Sequence, residues 1–430
     1  FVDFDPNNSP EKKVDGVAPS FVAPGVGITK DADGNFVAEA GKLVQVCDEN
    51  HESVAAYDNL ADAIAAAKDG YTIILIGDTT EDVVIDRNIT LDLGGFTLTG
   101  TGAAGKATLT IANGATATVK NGSIIGTESY YNIENYGTAT FEGLTATAGN
   151  NGSSMIDNYG TLTINSGSYT GGLNVVKSEE GSTLVINGGK FTRNSAPRWG
   201  ITGTILVYGD TTINGGEFID NSTSTNARVI VTGIVDGYTS ITRITGGTFT
   251  GKNNILHHMG DAKYENFAVS GGTFNKSVGC YYFADGSVLA KNSDGTYGVK
   301  EGQYVAAIGV TGYESLADAI KAAQKSKKEI DLMKDIYENV TIEAGQQITL
   351  DLNGKTLNGG TGTAVATITN HGMLTIKDGV GGGRVMRNDS GIVGETSYYV
   401  IDNFGGTLTI ESGIIYNNSG YAKANPSGSM

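Results

Sequence analysis

The chain has 430 residues, a formal net charge of −17, only 17% charged side chains, and 63 glycines against 6 prolines. That acidity repels phosphate backbones, so a nucleic-acid partner is not expected. The apolar and β-branched content excludes a disordered chain. Abundant glycine beside Thr, Ile, Val, Asn and Tyr excludes a helical one and leaves short strands joined by left-handed turns.

Residues 1–45 differ in composition, carrying four of the six prolines. They read as an extended segment with a hairpin in ITKDADGNFVAEA (Ile28–Ala40) around Asp33 and Gly34. The run KDADGNF has the flavour of a calcium loop but lacks the acid at the twelfth position that an EF-hand uses. Residues 46–300 then read as a complete repeat module and 301–430 as the beginning of a second. YDNLADAIAAAKDG (Tyr57–Gly70) returns as YESLADAIKAAQKS (Tyr313–Ser326), and ITLDLGGFTLTG (Ile89–Gly100) as ITLDLNGKTLNG (Ile348–Gly359). Each LADAI segment predicts an amphipathic cap helix, over about 59–69 and about 314–327, with Leu60 and Ile64 on one face.

A shorter period runs inside the modules. INSGSY, INGGKF, INGGEF, ITGGTF and VSGGTF end at Tyr169, Phe191, Phe218, Phe249 and Phe274, about 22 to 31 residues apart. A second marker, Asn-aromatic-Gly, recurs at Asn135, Asn158 and Asn403, with His in the aromatic place after Asn370. In TLTI (Thr161–Ile164), Leu162 and Ile164 share one face. One such unit cannot bury its inner face, but stacked units can. The fold class is therefore all-β: a right-handed parallel β-helix, or solenoid, with short helical N-terminal caps, one complete module plus the start of a second. A hairpin at about 287–300 (SVLAKNSDGTYGVK) closes the first module. The chain begins at Phe1 without Met and stops inside a repeat, so it reads as part of a longer protein. Cys47 and Cys280 lie too far apart for a motif and read as separate thiols.

The head YxSLADAI, the LDLNGKTL strand, the SGGTF turns and the closing ADGSVLAKNSDGTYGV resemble tandem β-helix modules of the pectate-lyase-like superfamily in large secreted surface proteins of gut Firmicutes. The resemblance covers roughly residues 50–430. It implies a secreted, bacterial cell-surface location. Adhesins and immunoglobulin-binding proteins are functional classes in these bacteria.

Polysaccharide lyases and polygalacturonases share that fold. Inverting hydrolases need two carboxyls about 6.5–9.5 Å apart, which here means adjacent turns, and lyases need a Lys or Arg beside acids that hold calcium. Glu134, Asp157 and Asp402 recur with the Asn-aromatic-Gly unit and read as corner residues, and the polygalacturonase signatures are absent. An enzyme would stack at least two acids with a Lys or Arg in one groove. For binding, the long turns bulge as loops, and RNSAPRWGITG carries Arg193, Arg198 and the single Trp199. In SYYNIENYG the residues Tyr131, Ile133 and Asn135 are expected to face inward, with Asn135 stacked on Asn158. Tyr130, Tyr136 and Tyr159 then face outward. His257 and His258, adjacent on a strand, point to opposite faces and cannot chelate one metal together. No cofactor, metal or membrane insertion is expected.

The chain reads as a non-catalytic secreted or cell-surface binding segment of adhesin type. Its partner is a host glycoprotein, an immunoglobulin, a mucin-like protein or a glycan. A polysaccharide lyase or glycoside hydrolase is the alternative, and a passive surface stalk the second.

Overall fold

A computed structural model describes residues 23–30, 32, 36–127, 131–195, 200–233, 240–259, 266–326, 328–359, 365–387 and 399–417. Three expected site residues, Tyr130, Arg198 and Trp199, lie outside the described residues, as does the Asp33–Gly34 turn. The chain is nearly all β, and its strands stack in parallel as a β-solenoid. It divides into two compact units, residues 1–278 with 290–299, and 279–289 with 300–430.

In the first unit each turn contributes three short strands. One column is an eight-stranded parallel sheet: Val83–Ile85, Leu109–Ile111, Ile133–Asn135, Ile156–Asn158, Val176–Ser178, Thr202–Val207, Ala227–Thr232 and Leu256–His258. Two further columns run beside it. They fuse where Thr116–Ile125 and Thr138–Thr147 continue from one column into the next. These long strands bend at Asn121 (φ 58°) and Gly143 (φ 61°), left-handed residues that turn the chain without ending the ladder. Inward side chains alternate with outward ones, so Leu162 and Ile164 are buried while Thr161 is exposed.

The Gly-Gly before each Phe of the series, replaced by Ser166-Gly167 before Tyr169, has two separate causes. The second glycine takes a left-handed φ, 111° at Gly216 and 100° at Gly247. The first has no room for a side chain. A Cβ on Gly215 would sit 2.7 Å from the Asn187 carbonyl oxygen, and one on Gly246 2.3 Å from that of Asn214. This close approach turns the following aromatic into the core. Tyr169, Phe191, Phe218, Phe249 and Phe274 are fully buried and stack ring on ring at 4.9 to 5.1 Å. Each buried ring contributes roughly 1.5–3 kcal/mol from burial alone.

Both heads are capped alike. The helix Leu60–Ala66 buries Leu60, Ala63 and Ile64, and Asn59 Oδ1 accepts from Asp62 N at 2.8 Å. The Glu81 carboxylate, on the next turn, accepts from Leu60 N and Ala61 N. In the second unit the helix Leu316–Ser326 buries Leu316, Ala319, Ile320 and Ala323, and Glu338 accepts from Leu316 N and Ala317 N. A carboxylate on the free N–H groups of a helix start suits both the orphan donors and the dipole. Antiparallel strands complete each head: Val44–Cys47 between Ser53–Tyr57 and Thr72–Leu75, and Ala306–Ile308 between Thr311–Tyr313 and Ile330–Leu332. At the other end of the first unit, Tyr297 pairs antiparallel with Phe274. The second unit continues in sheets of parallel strands, among them Val340–Ile342, Ile368–Asn370 and Ile401–Asp402. Among the described residues, no helix is long and apolar enough to cross a membrane.

Candidate binding face

The outer side of the eight-stranded sheet carries a cluster of charged and aromatic side chains in the first unit. Register alone assembles it. Glu134 lies beside Asp157, and Asp157 beside Lys177, on three consecutive turns. Period-two alternation points these side chains away from the core, while Asn135 and Asn158 point into it. The inward pair behaves as expected. Both are fully buried, Asn135 Nδ2 donates to Asn158 Oδ1 at 2.7 Å, and Asn158 Nδ2 donates to Ser178 Oγ at 3.0 Å. Asn135 and Asn158 also cap the next turn through Thr161 O and Thr183 O.

Glu134 and Asp157 are not corner residues. Each is the middle residue of a three-residue strand, and Asp157 is fully buried although it faces outward. The cover comes from the tyrosines two residues on. Tyr136 Oη donates to Glu134 Oε1 at 3.0 Å and Tyr159 Oη to Asp157 Oδ2 at 3.2 Å. The two rings lie 4.8 Å apart and 8° from parallel, with exposures of 39% and 42%. A stacked pair turns ring faces toward each other and shows edges to solvent. That geometry favours contact with a protein surface over sugar-ring stacking.

Burial pushes the Asp157 carboxyl up to about 7, against the pull of Lys177, and Glu179 adds to the rise. The hydroxyls of Tyr159 and Tyr131 work the other way, so Tyr131, expected to face inward with Ile133 and Asn135, instead reaches the outward carboxyl. Asp157 Oδ1 has no hydrogen-bond partner. Burial also works against the Lys177 ammonium, but its hydrogen bond to Glu179 and the charges of Asp157 and Glu179 outweigh it and hold its pKa above the usual lysine range. Lys177 Nζ further lies 5.9 Å from the Tyr208 ring centre, a cation–π contact. The face is thus a strip of tyrosines, Tyr136, Tyr159 and Tyr208, crossed by an acid–acid–lysine register.

Arg193, expected on a surface loop, sits elsewhere. It ends the strand Lys190–Arg193, is fully buried, and pairs with Asp220, its register neighbour on the next turn. Nη1 also donates to Thr202 Oγ1 and Leu173 O. An Arg with no exposed surface holds neighbouring turns together and meets no partner. His257 and His258 do take opposite faces of Leu256–His258. His258 is buried, its Nδ1 2.9 Å from Thr232 Oγ1, and His257 is half-buried; burial lowers both pKa values. Cys47 and Cys280 are free and buried, and burial raises their thiols to about 11 and about 12. At neutral pH neither is a thiolate nucleophile.

The second unit holds a separate acidic cluster. Carboxylate oxygens of Glu329, Asp331 and Asp351 lie within 4.8 Å of one another, the spacing a cation would need. Lys377 already occupies that role, 2.8 Å from Glu329 and 3.4 Å from Asp351.

Sequence reasoning places Tyr136 and Tyr159 outward but misses the burial of Asp157 and the contribution of Lys177, Glu179 and Tyr208. The missed signal was register: Lys177 lies one turn beyond Asp157, in a turn that lacks the Asn-aromatic-Gly marker. The chain matches no protein-family model, no curated protein and no solved structure.

Proposed function

We propose that the chain is a non-catalytic binding segment whose contact face is the outer side of the eight-stranded sheet in the first unit. The observation that carries this reading is the exposed Tyr136–Tyr159 stack, held over buried carboxyls with Tyr208 and the Lys177–Glu179 pair beside it. Tyrosine offers large contact area at low entropic cost, and rigidly held tyrosines are common anchors of protein interfaces. The partner class is a protein such as a host glycoprotein or an immunoglobulin, with a glycan as the less favoured ligand because each ring already gives one face to the stack. The resemblance to secreted surface proteins of gut Firmicutes supports a secreted, cell-surface adhesin. The test is a panel of mucins, immunoglobulins and glycans, captured by the wild-type chain and by Tyr136→Ala with Tyr159→Ala. The reading expects capture of at least one protein ligand and its loss in the double variant, with the fold intact. Capture unchanged in the variant removes this face, and an empty panel favours the passive stalk.

One observation favours a second reading. Glu134, Asp157 and Lys177 align on consecutive turns, the arrangement a β-helix hydrolase or lyase requires. That reading expects reducing ends or unsaturated products from pectin-like polymers, abolished by Asp157→Asn. No product from such polymers rules it out.

A further inference from the structure

We infer that Asp157, which stands in register with Glu134 on the outer face of the first unit, is a proton-binding carboxyl, a switch that sets the charge beneath the tyrosine strip. The geometry comes first. The two carboxyls stand in register on adjacent turns, one fully buried and the other nearly so. Tyr159 and Tyr131 cover Asp157 from the side, Lys177 lies in register on the following turn, and Glu179 faces the same carboxyl. These four groups, with Glu134 in register, are the titratable and charged neighbours of the site. Their sum is negative when both carboxyls are ionised, because the single ammonium is already hydrogen-bonded to Glu179.

Asp157 Oδ1 is buried and without a partner. A buried carboxylate oxygen left unsatisfied is costly, and larger ligands cannot reach it past the tyrosines. A proton can. Taken from solvent onto Oδ1, it removes one negative charge from the buried carboxyl and turns the unsatisfied oxygen into a neutral hydroxyl. The elevated pKa of the group, near 7, agrees with this arrangement. The second unit lacks the device, since the same register there pairs Thr369 with Asp402 and Asp402 is partly exposed.

The sign follows from linkage. The folded state holds this proton up to about pH 7, whereas the unfolded chain releases it near the ordinary value of 3.8. Stability from this group is therefore full below the unfolded value and is lost as pH rises toward 7. Asn mimics the protonated acid without being able to ionise. Thermal unfolding of the full chain at pH 5 and pH 8 tests the point. Asp157→Asn should gain on wild type by about 3 °C or more between pH 5 and pH 8. A gap equal at both pH values overturns the inference. If the variant does not fold, the side-chain carboxyl carbon of Asp157 in the wild-type chain decides, followed by NMR. A midpoint near 7, lowered by Glu179→Gln, supports the switch, and a midpoint in the ordinary carboxylate range contradicts it. No ligand enters either measurement, so the outcome is independent of whether the face binds a partner.

Discussion

In the first unit, the Asn-aromatic-Gly series carries Glu134 with Tyr136 on one turn and Asp157 with Tyr159 on the next. In the second unit the same places carry Thr369 with His371 and Asp402 with Phe404. The asparagines do not change: Asn135 donates to Asn158, and Asn370 donates to Asn403 at 2.6 Å. Their second bonds match too, to Thr161 O and to Thr407 O. What both units share is scaffold, and the Asn ladder belongs to it. Within this Asn-aromatic-Gly series the acid under a hydroxyl-bearing ring belongs to the first unit, while elsewhere in the second unit Tyr281 Oη donates to Asp331 Oδ2 at 3.4 Å. Phe404, 77% exposed and without a hydroxyl, leaves the Asp402 carboxyl two residues before it uncovered and partly exposed.

The core differs as well. The first unit stacks five rings in one column, whereas Leu357 and Val385 fill the corresponding column in the second and Ile415, next in register, is exposed. Phe218→Ala, in the middle of the stack, should cost about 3–5 kcal/mol, while Val385→Ala should cost about 2 kcal/mol. Hydrogen exchange of amides in turns 183–258, set against turns 340–417, reads the two effects separately. Equal losses would show that the rings add nothing beyond ordinary burial. Asp220→Ala should cost about 3 kcal/mol, because it strands the buried Arg193 guanidinium. A loss under about 1 kcal/mol in denaturant titration would mean that Arg193 finds other partners.

How legible this was depends on reach along the chain. The inward Asn135 and Asn158, the outward Tyr136 and Tyr159, and the opposed His257 and His258 follow from alternation within a few residues. The recurring aromatic marks the period in the sequence, but the inward stacking of the rings emerges only from the register of the turns. Glu81 was hidden because it caps a helix about 20 residues earlier, a contact that exists only once the turns close. Arg193 was hidden for the same reason. Its partner Asp220 lies one turn away, and only register shows that a charge at a strand end meets its opposite inside the coil. Asp157 reads as a corner residue because it recurs with the repeat, whereas it stands in mid-strand and the tyrosine two places on covers it.

Smaller effects sharpen the comparison. Asn158→Ala and Asn370→Ala should each cost about 1–3 kcal/mol, since each removes two hydrogen bonds to the following turn. A large loss at one and none at the other would end the claim that the ladder is common scaffold. The smallest effect is expected at Asp331, which takes the place that Ile74 holds in the first unit. Burial and then the neighbouring Glu329 and Asp351 raise its pKa. Asp331→Ile should therefore stabilise the second unit by up to about 1 kcal/mol at pH 8, with the gain fading as the pH falls and the carboxyl takes up its proton. A gain independent of pH in thermal melts would assign it to packing instead.

The central claim is that the carboxyl-backed tyrosine strip, and not the repeat itself, is the binding face. Footprinting by hydrogen–deuterium exchange, on the full chain with the ligand that the capture panel yields, tests it most directly. The account predicts protection at 131–136, 156–159, 176–179 and 206–208, with none at 368–371 or 401–404. Protection centred on the second unit, or spread evenly over both copies of the repeat, would contradict it.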